Sequence, residues 1–341
     1  MKNINNIILA TLLLILSTST VIAQSVERQI NGSAGSTLSN GTNTVEFTVG
    51  ELAVTTLGSG TVTASQGFHQ AILKLSVKLS PIAYLQGASL SPNAGEENLM
   101  RDDLRIGGWL PVTSPYADAL TCNASVFNTG GTFGSGSKNN NIVDWVYIEL
   151  RDGTDNTSVV VGRSALLQRD GDIVDTDGIS DLEIETEEGD YFVVVKHRNH
   201  LSIISNIVIA LLRDVTTIVD FTDANNPITY GTNAQSTYGM PIDILGMWGG
   251  NTDNGTTVRY LGSGNDINVI KDIVLADSGN SSTSNLYFFD TYNNADINLN
   301  ATVRYQGTSN DSNIIKDIVL SHPNNTSGSL LYYIKEQLPE H

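Results

Sequence analysis

Hydrophobic and polar residues alternate with a period of two through "DWVYIELRD", where Trp145, Tyr147 and Glu149 fall on one side and Val146, Ile148 and Leu150 on the other. That period is the signature of a β-strand. Further strand patterns follow in "VVVGRSALLQRDGDIV", "GDYFVVVKHRNHLSIIS" and "ISNIVIALL", with "RDGD" and "EEGD" supplying the turns. Several short strands bounded by turns predict an antiparallel β-sandwich. Nearer the N-terminus, "TVEFTVGELAVTTL" and "TVTASQGFHQAIL" predict a small separate β unit, with "GSG" turning the chain between them.

The period changes near the C-terminus. "VRYLGSGNDINVIKDIVL" from Val258 returns 45 residues later as "VRYQGTSNDSNIIKDIVL" from Val303, identical at thirteen of eighteen positions. Within each copy the apolar residues recur at helical spacing: Ile267, Ile270 and Val274 in the first, Ile315, Ile318 and Val319 in the second. Asp266 and Asp311 stand where each predicted helix begins, so each is read as a cap accepting a backbone N–H. Helices this short are not stable alone, and a repeated unit buries its apolar face against its neighbour. The predicted organisation is a signal segment over 1–23, a β unit over 24–78, a sandwich body over 79–215, a connector over 216–248, and tandem loop–helix repeats over 249–341.

Composition narrows the function. Only 16% of residues are charged and the formal net charge is −18. With no basic stripe, nucleic acid and anionic lipid are excluded as partners. Lys2, the apolar run "IILATLLLIL" and the small residues before Gln24 read as a secretory signal cut after Ala23, too short for a transmembrane span. Cys122, the only cysteine, is read as packed and not catalytic.

At "DWVYIELRD", "RSALLQRDGDIVDTDG" and "YFVVVKHRNHL" the chain resembles secreted hemagglutinin-like proteins of Bacteroidota. The likeness extends to "FTVGELAV", "ASQGFHQA", "LRIGGWLPVTSPY", "YGTNAQ", "MWGGN" and the closing "EQLP", covering nearly all of the chain after the signal. The resemblance implies an exported β-rich body followed by paired dockerin-like calcium loops, and no established enzymatic chemistry. It does not fix a ligand.

"DINLNATV" places Asp296, Asn298 and Asn300 at positions 1, 3 and 5 of an EF-hand-type loop, with Val303 at the apolar position 8. Calcium takes six to eight oxygen ligands, which alternating side chains bring to one point. Ala301 replaces the glycine of the sharp turn and Gly307 replaces the acid at position 12, so Asp311 serves only if "YQGTS" loops out. In the first repeat Asn251 and Asp253 fit, with Asp266 in the place of Asp311, but Gly255 removes a ligand. The bland alternative is a turn that keeps the shape without the ion.

Other candidates are weaker. Asp170, Asp172, Asp175 and Asp177 could hold a cation, though Asp-Gly twice also makes a turn. His197 and His200 lie three apart at a strand end and face opposite sides unless the chain turns between them. Glu149 and Asp152 carry no mark of an acid/base couple. Trp109 and Tyr116 form the best aromatic platform for a glycan or protein ligand. The reading is a secreted, non-enzymatic adhesion protein with a dockerin-like module. Its rivals are an exported metal-dependent hydrolase using the Asp170–Asp177 or His197/His200 region, and a scaffold subunit docking through the repeats.

Overall fold

The computed structural model of the protein describes residues 75–128 and 138–340, together with the backbone of four short strands nearer the N-terminus. Those four form two hairpins, β1 (Ala34–Ser39) with β2 (Thr44–Val49) and β3 (Thr56–Ser59) with β4 (Val62–Ser65). The signal segment read over 1–23 lies outside the described residues. The chain divides into two compact units after Leu73.

The second unit is mainly β. Its largest sheet has six strands: β6 (Ile142–Asp152), β7 (Asp155–Gln168), β8 (Ile173–Val174), β10 (Gly189–His197), β11 (His200–Ile204) and β12 (Ile209–Leu211). They run in the order β11-β10-β6-β7-β8, with β12 also pairing β10, and every pair is antiparallel. A second sheet sets β5 (Val77–Ile82) between β9 (Leu182–Ile184) and β13 (Thr216–Asp220). β5 and β13 run parallel, a departure from the wholly antiparallel body that the turn spacing predicts. The two sheets share one apolar core, with Val77 and Leu79 from β5 meeting Ile148, Leu150, Val193 and Val195. Each such buried aliphatic side chain contributes about 1.5–3 kcal/mol.

Both alternating sides of β6 are covered at Trp145, which is as buried as Val146 and Ile148. The Trp145 indole N–H donates to the Pro111 carbonyl (2.8 Å), so the segment before β6 covers that face. Glu149 is held beneath Lys196 and Arg151. Residues 216–248, expected as a connector, are woven into the unit. They carry β13, the small pair β14 (Gln235–Ser236) and β15 (Gly246–Met247), and the buried Phe221 and Trp248.

In the repeats, β16 (Thr257–Arg259), α3 (Asp266–Ala276) and β17 (Phe288–Asp290) recur as β18 (Thr302–Arg304), α4 (Asp311–Ser321) and β19 (Tyr333–Lys335). The short helices α1 (Gln86–Ser89) and α2 (Asp103–Ile106) belong to the body. Strand pairing is exchanged between repeats: β16 pairs β19 and β17 pairs β18, both antiparallel. Each repeat therefore closes the other. The exchange also stacks Arg259 over Tyr333 (4.2 Å) and Arg304 over Phe288 (3.9 Å). Ile270, Val274, Ile315, Ile318 and Val319 meet in one core with Val258, Val303 and Ile334, while Ile267 packs at its margin. Leu201 and Trp248 enter this core from the body.

The repeat also runs beyond the eighteen residues that stand out in sequence. The Asn280 side chain donates to Val274 O and Ser284 O, and Asn325 makes the same two bonds to Val319 O and Ser329 O.

Candidate functional site

The helix caps differ from the expectation for Asp266 and Asp311. Asn265 and Asn310 are the N-caps, their side chains accepting from Asn268 N (3.0 Å) and Asn313 N (2.8 Å). That frees the two aspartates, at the first helical position, to reach back into the loops. Asp311 accepts from Ile297 N (2.9 Å) and Arg304 N (2.8 Å). Asp266 accepts from Thr252 N (2.8 Å) and Arg259 N (2.7 Å). The segment "YQGTS" does loop out, and Asp311 returns to the loop of Asp296.

In the second loop, Asp296 is fully buried and accepts from Asn300 N (3.0 Å) and Ala301 N (2.8 Å). The sharp turn survives without glycine, because Leu299 (φ 56°) and Ala301 (φ 71°) both take the left-handed conformation. Such a conformation costs about 1–2 kcal/mol per non-glycine residue, so the surrounding contacts must hold it. Burial, partly offset by Arg198, raises the Asp296 carboxyl to about 7. Burial and then the charge of Asp296 push Asp311 well above the carboxylate range. Two acids thus share one buried site. In the same loop Asn298 Oδ1 is buried without a hydrogen-bond partner, while Asn300 Oδ1 is taken by Thr302 N (2.8 Å).

The first loop is poorer in buried acids. Asn251 stands in the place of Asp296, with its Nδ2 donating to Gly255 O (2.8 Å) and its Oδ1 buried and unpartnered. Asp253 is exposed and accepts from Gly255 N in a local turn. Burial raises Asp266 to about 6.

The calcium that the resemblance implies can be tested against these donors. Each carboxylate oxygen has two lone pairs, so one amide bond leaves one pair free. The second loop offers two carboxylates and an orphaned amide oxygen, the donor chemistry of a hard cation, and therefore fits. The first loop offers one carboxylate and one orphaned amide oxygen. Among the described residues no three His, Cys, Asp or Glu side chains gather as a metal cluster, so any cation here relies on amide oxygens.

The loops abut the body at the turn joining β10 to β11. His197 and His200 pair across this two-residue turn, which brings their rings to one side, 4.8 Å apart. The condition under which the sequence allowed joint action is met, yet no ring nitrogen is left for a metal. His200 Nε2 accepts from Gly87 N (3.0 Å), so its proton sits on Nδ1, facing Asn199 Oδ1 (2.8 Å) and His197 Nδ1 (2.9 Å). His197 then carries its proton on Nε2, 3.2 Å from Asp144 Oδ2. Burial lowers the pKa of both histidines, His200 the more, and keeps them neutral. Burial also pushes Asp144 up, but Arg198, His197 and Tyr292 together hold it at about 2. Arg198 donates to Asp144 (2.9 Å) and to the Asn293 carbonyl, and lies 4.3 Å over the Tyr292 ring.

The other candidates are dispersed. Asp175 pairs with Arg163 (2.6 Å), and Asp177 caps its own turn through Ile179 N and Ser180 N (both 2.9 Å). Burial, then each one's acidic neighbours, raises Asp170 and Asp172. Glu149 is salt-bridged and Asp152 binds the Thr154 hydroxyl. Trp109 is 39% exposed, and Ile106 and Val112 of the same segment are exposed too. Tyr116 is half-buried, its ring tilted against Tyr147 at 5.3 Å, so only Trp109 of this pair offers open surface. Cys122 packs against the main core, and burial raises its thiol.

Sequence reasoning missed Asp144, Arg198, Asn199 and Tyr292. Asp144 and Tyr292 are far apart in the chain and carry no local signal. "HRNH" carried one, since a two-residue turn sets its flanking residues opposite each other. No family model, curated protein or solved structure matches the chain.

Proposed function

We propose that the protein is an exported, non-enzymatic adhesion protein, in which a β-sandwich body carries the binding surface and a dockerin-like repeat pair is stabilised by calcium in its second loop. The observation that carries the calcium half is the pair of buried acids, Asp296 and Asp311, together with the buried, unpartnered Oδ1 of Asn298, two residues after Asp296 in the same loop. Two carboxylates with raised pKa in one buried site are poorly compensated at neutral pH, and a divalent cation supplies the missing charge. Asp296, Asn298 and Asp311 would hold it.

Support for the non-enzymatic half is chemical. The four His197 and His200 ring nitrogens are engaged in a buried chain, and the Asp170–Asp177 acids part into a salt bridge, a turn cap and a separate pair. Neither set presents an acid and a base to one cleft. The exposed Trp109, Ile106 and Val112 support a glycan or protein ligand on the body. Melting the full mature chain in chelator and in millimolar calcium tests the module. Calcium should raise the midpoint, and Asp296→Ala should abolish the rise while Asp253→Ala leaves it. An unchanged wild-type midpoint refutes calcium. Cell and glycan binding by Trp109→Ala tests adhesion, which should weaken.

A further inference from the structure

Asn199, at the tip of the β10–β11 turn, is fully buried and spends every polar atom of its side chain. Its Nδ2 donates to Asp296 O (2.7 Å) and Asn294 O (3.2 Å) of the second loop. Its main-chain carbonyl accepts from Gly250 N (3.1 Å) and Asn251 N (3.0 Å) of the first loop. Its Oδ1 receives the His200 Nδ1 proton at 2.8 Å. Asn251 and Asp296 are equivalent residues of the two repeats, each the first position of its loop. One body residue therefore grips the same point of both loops, with opposite hydrogen-bonding groups.

The second loop needs such a grip. Its left-handed Leu299 and Ala301 are not the choice of a free chain, and its two acids repel. From the body side Gly87 closes on it as well, since a Cβ there would stand 2.0 Å from the Ile297 carbonyl oxygen. Holding the Asp296 carbonyl fixes the backbone from which its carboxylate and Asn298 project.

We propose that Asn199 is the positioning residue of both loops, so that seating of the β10–β11 turn and the affinity of the second loop for a divalent cation are one coupled equilibrium. The cation half rests on the calcium reading above. An outer partner that orients a metal ligand is commonly worth ten- to a hundredfold in affinity.

The test compares full-length wild type with Asn199→Asp, which keeps the acceptor for His200 and the main-chain carbonyl but removes the Nδ2 donor. Ile148→Val, in the core of the large sheet, controls for general loss of stability. Calcium affinity is read by calorimetry, and loop order by amide hydrogen exchange in chelator across 250–257 and 293–301. Asn199→Asp should weaken calcium about tenfold and speed exchange in both loops, while Ile148→Val changes neither. Unchanged affinity in Asn199→Asp, with wild type binding, overturns the proposal and leaves the calcium reading standing. If wild type binds nothing at about 10 mM calcium, beyond the range of extracellular modules, the calcium reading falls and exchange decides. Faster exchange in both loops then supports Asn199 as the positioning residue, and faster exchange in only one overturns it.

Discussion

The two repeats have nearly the same backbone but bury different numbers of acids. Both helices open on an Asn cap, both following aspartates return to two loop amides, and both close on an Asn that binds the same two carbonyls. Yet the first loop starts on neutral Asn251, whereas the second starts on buried Asp296 beside Asp311. The shared features are bonds between side chains and main chain, and these suffice for the shape. The loop ligands are where the copies diverge. Shape is therefore separable from the buried acid pair, and the first repeat has the shape with one buried acid, Asp266, in place of two.

The largest effect that can sharpen this comparison lies in the common core. Ile270 and Ile315 are equivalent and fully buried. Truncating either to Ala should cost about 2–5 kcal/mol, the usual price of an emptied aliphatic site. Because the repeats share one core, the two losses should be similar in chemical denaturation. A much smaller loss at one would show that the copies fold independently.

Next in size come the returning acids. Asp266→Ala strands the Thr252 and Arg259 amides, and Asp311→Ala strands those of Ile297 and Arg304. Each buried orphan donor costs about 1–3 kcal/mol. Removing Asp311 also relieves its repulsion with Asp296. In chelator near pH 7.5, Asp266→Ala should therefore be the more damaging, and millimolar calcium should reverse the order. An order that calcium does not move would mean that Asp311 serves shape alone.

What the sequence made legible follows the range of each interaction. The strands β6, β7 and β10, the helices α3 and α4 and their buried isoleucines show in local periodicity, because each pattern is written within a dozen residues. The caps were misplaced by one residue, since Asn-Asp offers two capping side chains in a row and only the return of Asp266 and Asp311 to their loops decides between them. The parallel β5–β13 pair, the covering of Trp145 and the Asp144–Tyr292 contact join residues more than thirty apart, and no short pattern encodes them. The pairing of His197 and His200 depended on a turn between them that the sequence left open, and the packing of Gly87 and Gly249 against His200 comes from distant segments.

A smaller effect near neutrality separates the body's turn from the loops it grips. Burial lowers the pKa of His197 and His200 in the folded chain, while the unfolded histidines titrate near 6.5. Protons therefore bind the unfolded state first. The stability from this chain is complete above pH 6.5 and is lost as pH falls below it. Asp266, Asp296 and Asp311, whose carboxyls burial raises, gain stability over the same range, so the histidine contribution is read as a difference: between pH 7.5 and 5.5 the urea midpoint of His197→Gln should fall less, or rise more, than that of wild type. Equal change in wild type and variant would place the acid sensitivity elsewhere.

The smallest difference expected is between the caps themselves. Asn265 and Asn310 each do two things: Oδ1 accepts from the helix, and Nδ2 donates to Gly262 O (2.6 Å) or Gly307 O (2.5 Å). Replacing either by Ala removes both and should cost about 1 kcal/mol. Aspartate keeps the cap and adds a favourable charge at the helix N-terminus, but it turns an acceptor toward the glycine carbonyl. At half-exposed Asn265 water relieves that clash, so Asn265→Asp should be close to neutral. Asn310 is 5% exposed and lies next to Asp311. A third negative charge there has little water and only the Asn313 amide as a donor, so Asn310→Asp should be measurably destabilising in chelator. Calcium in the second loop should narrow the gap between the two variants. Thermal melts of the pair, with and without calcium, read that gap directly, and equal midpoints in chelator would show that the second loop is no more charge-sensitive than the first.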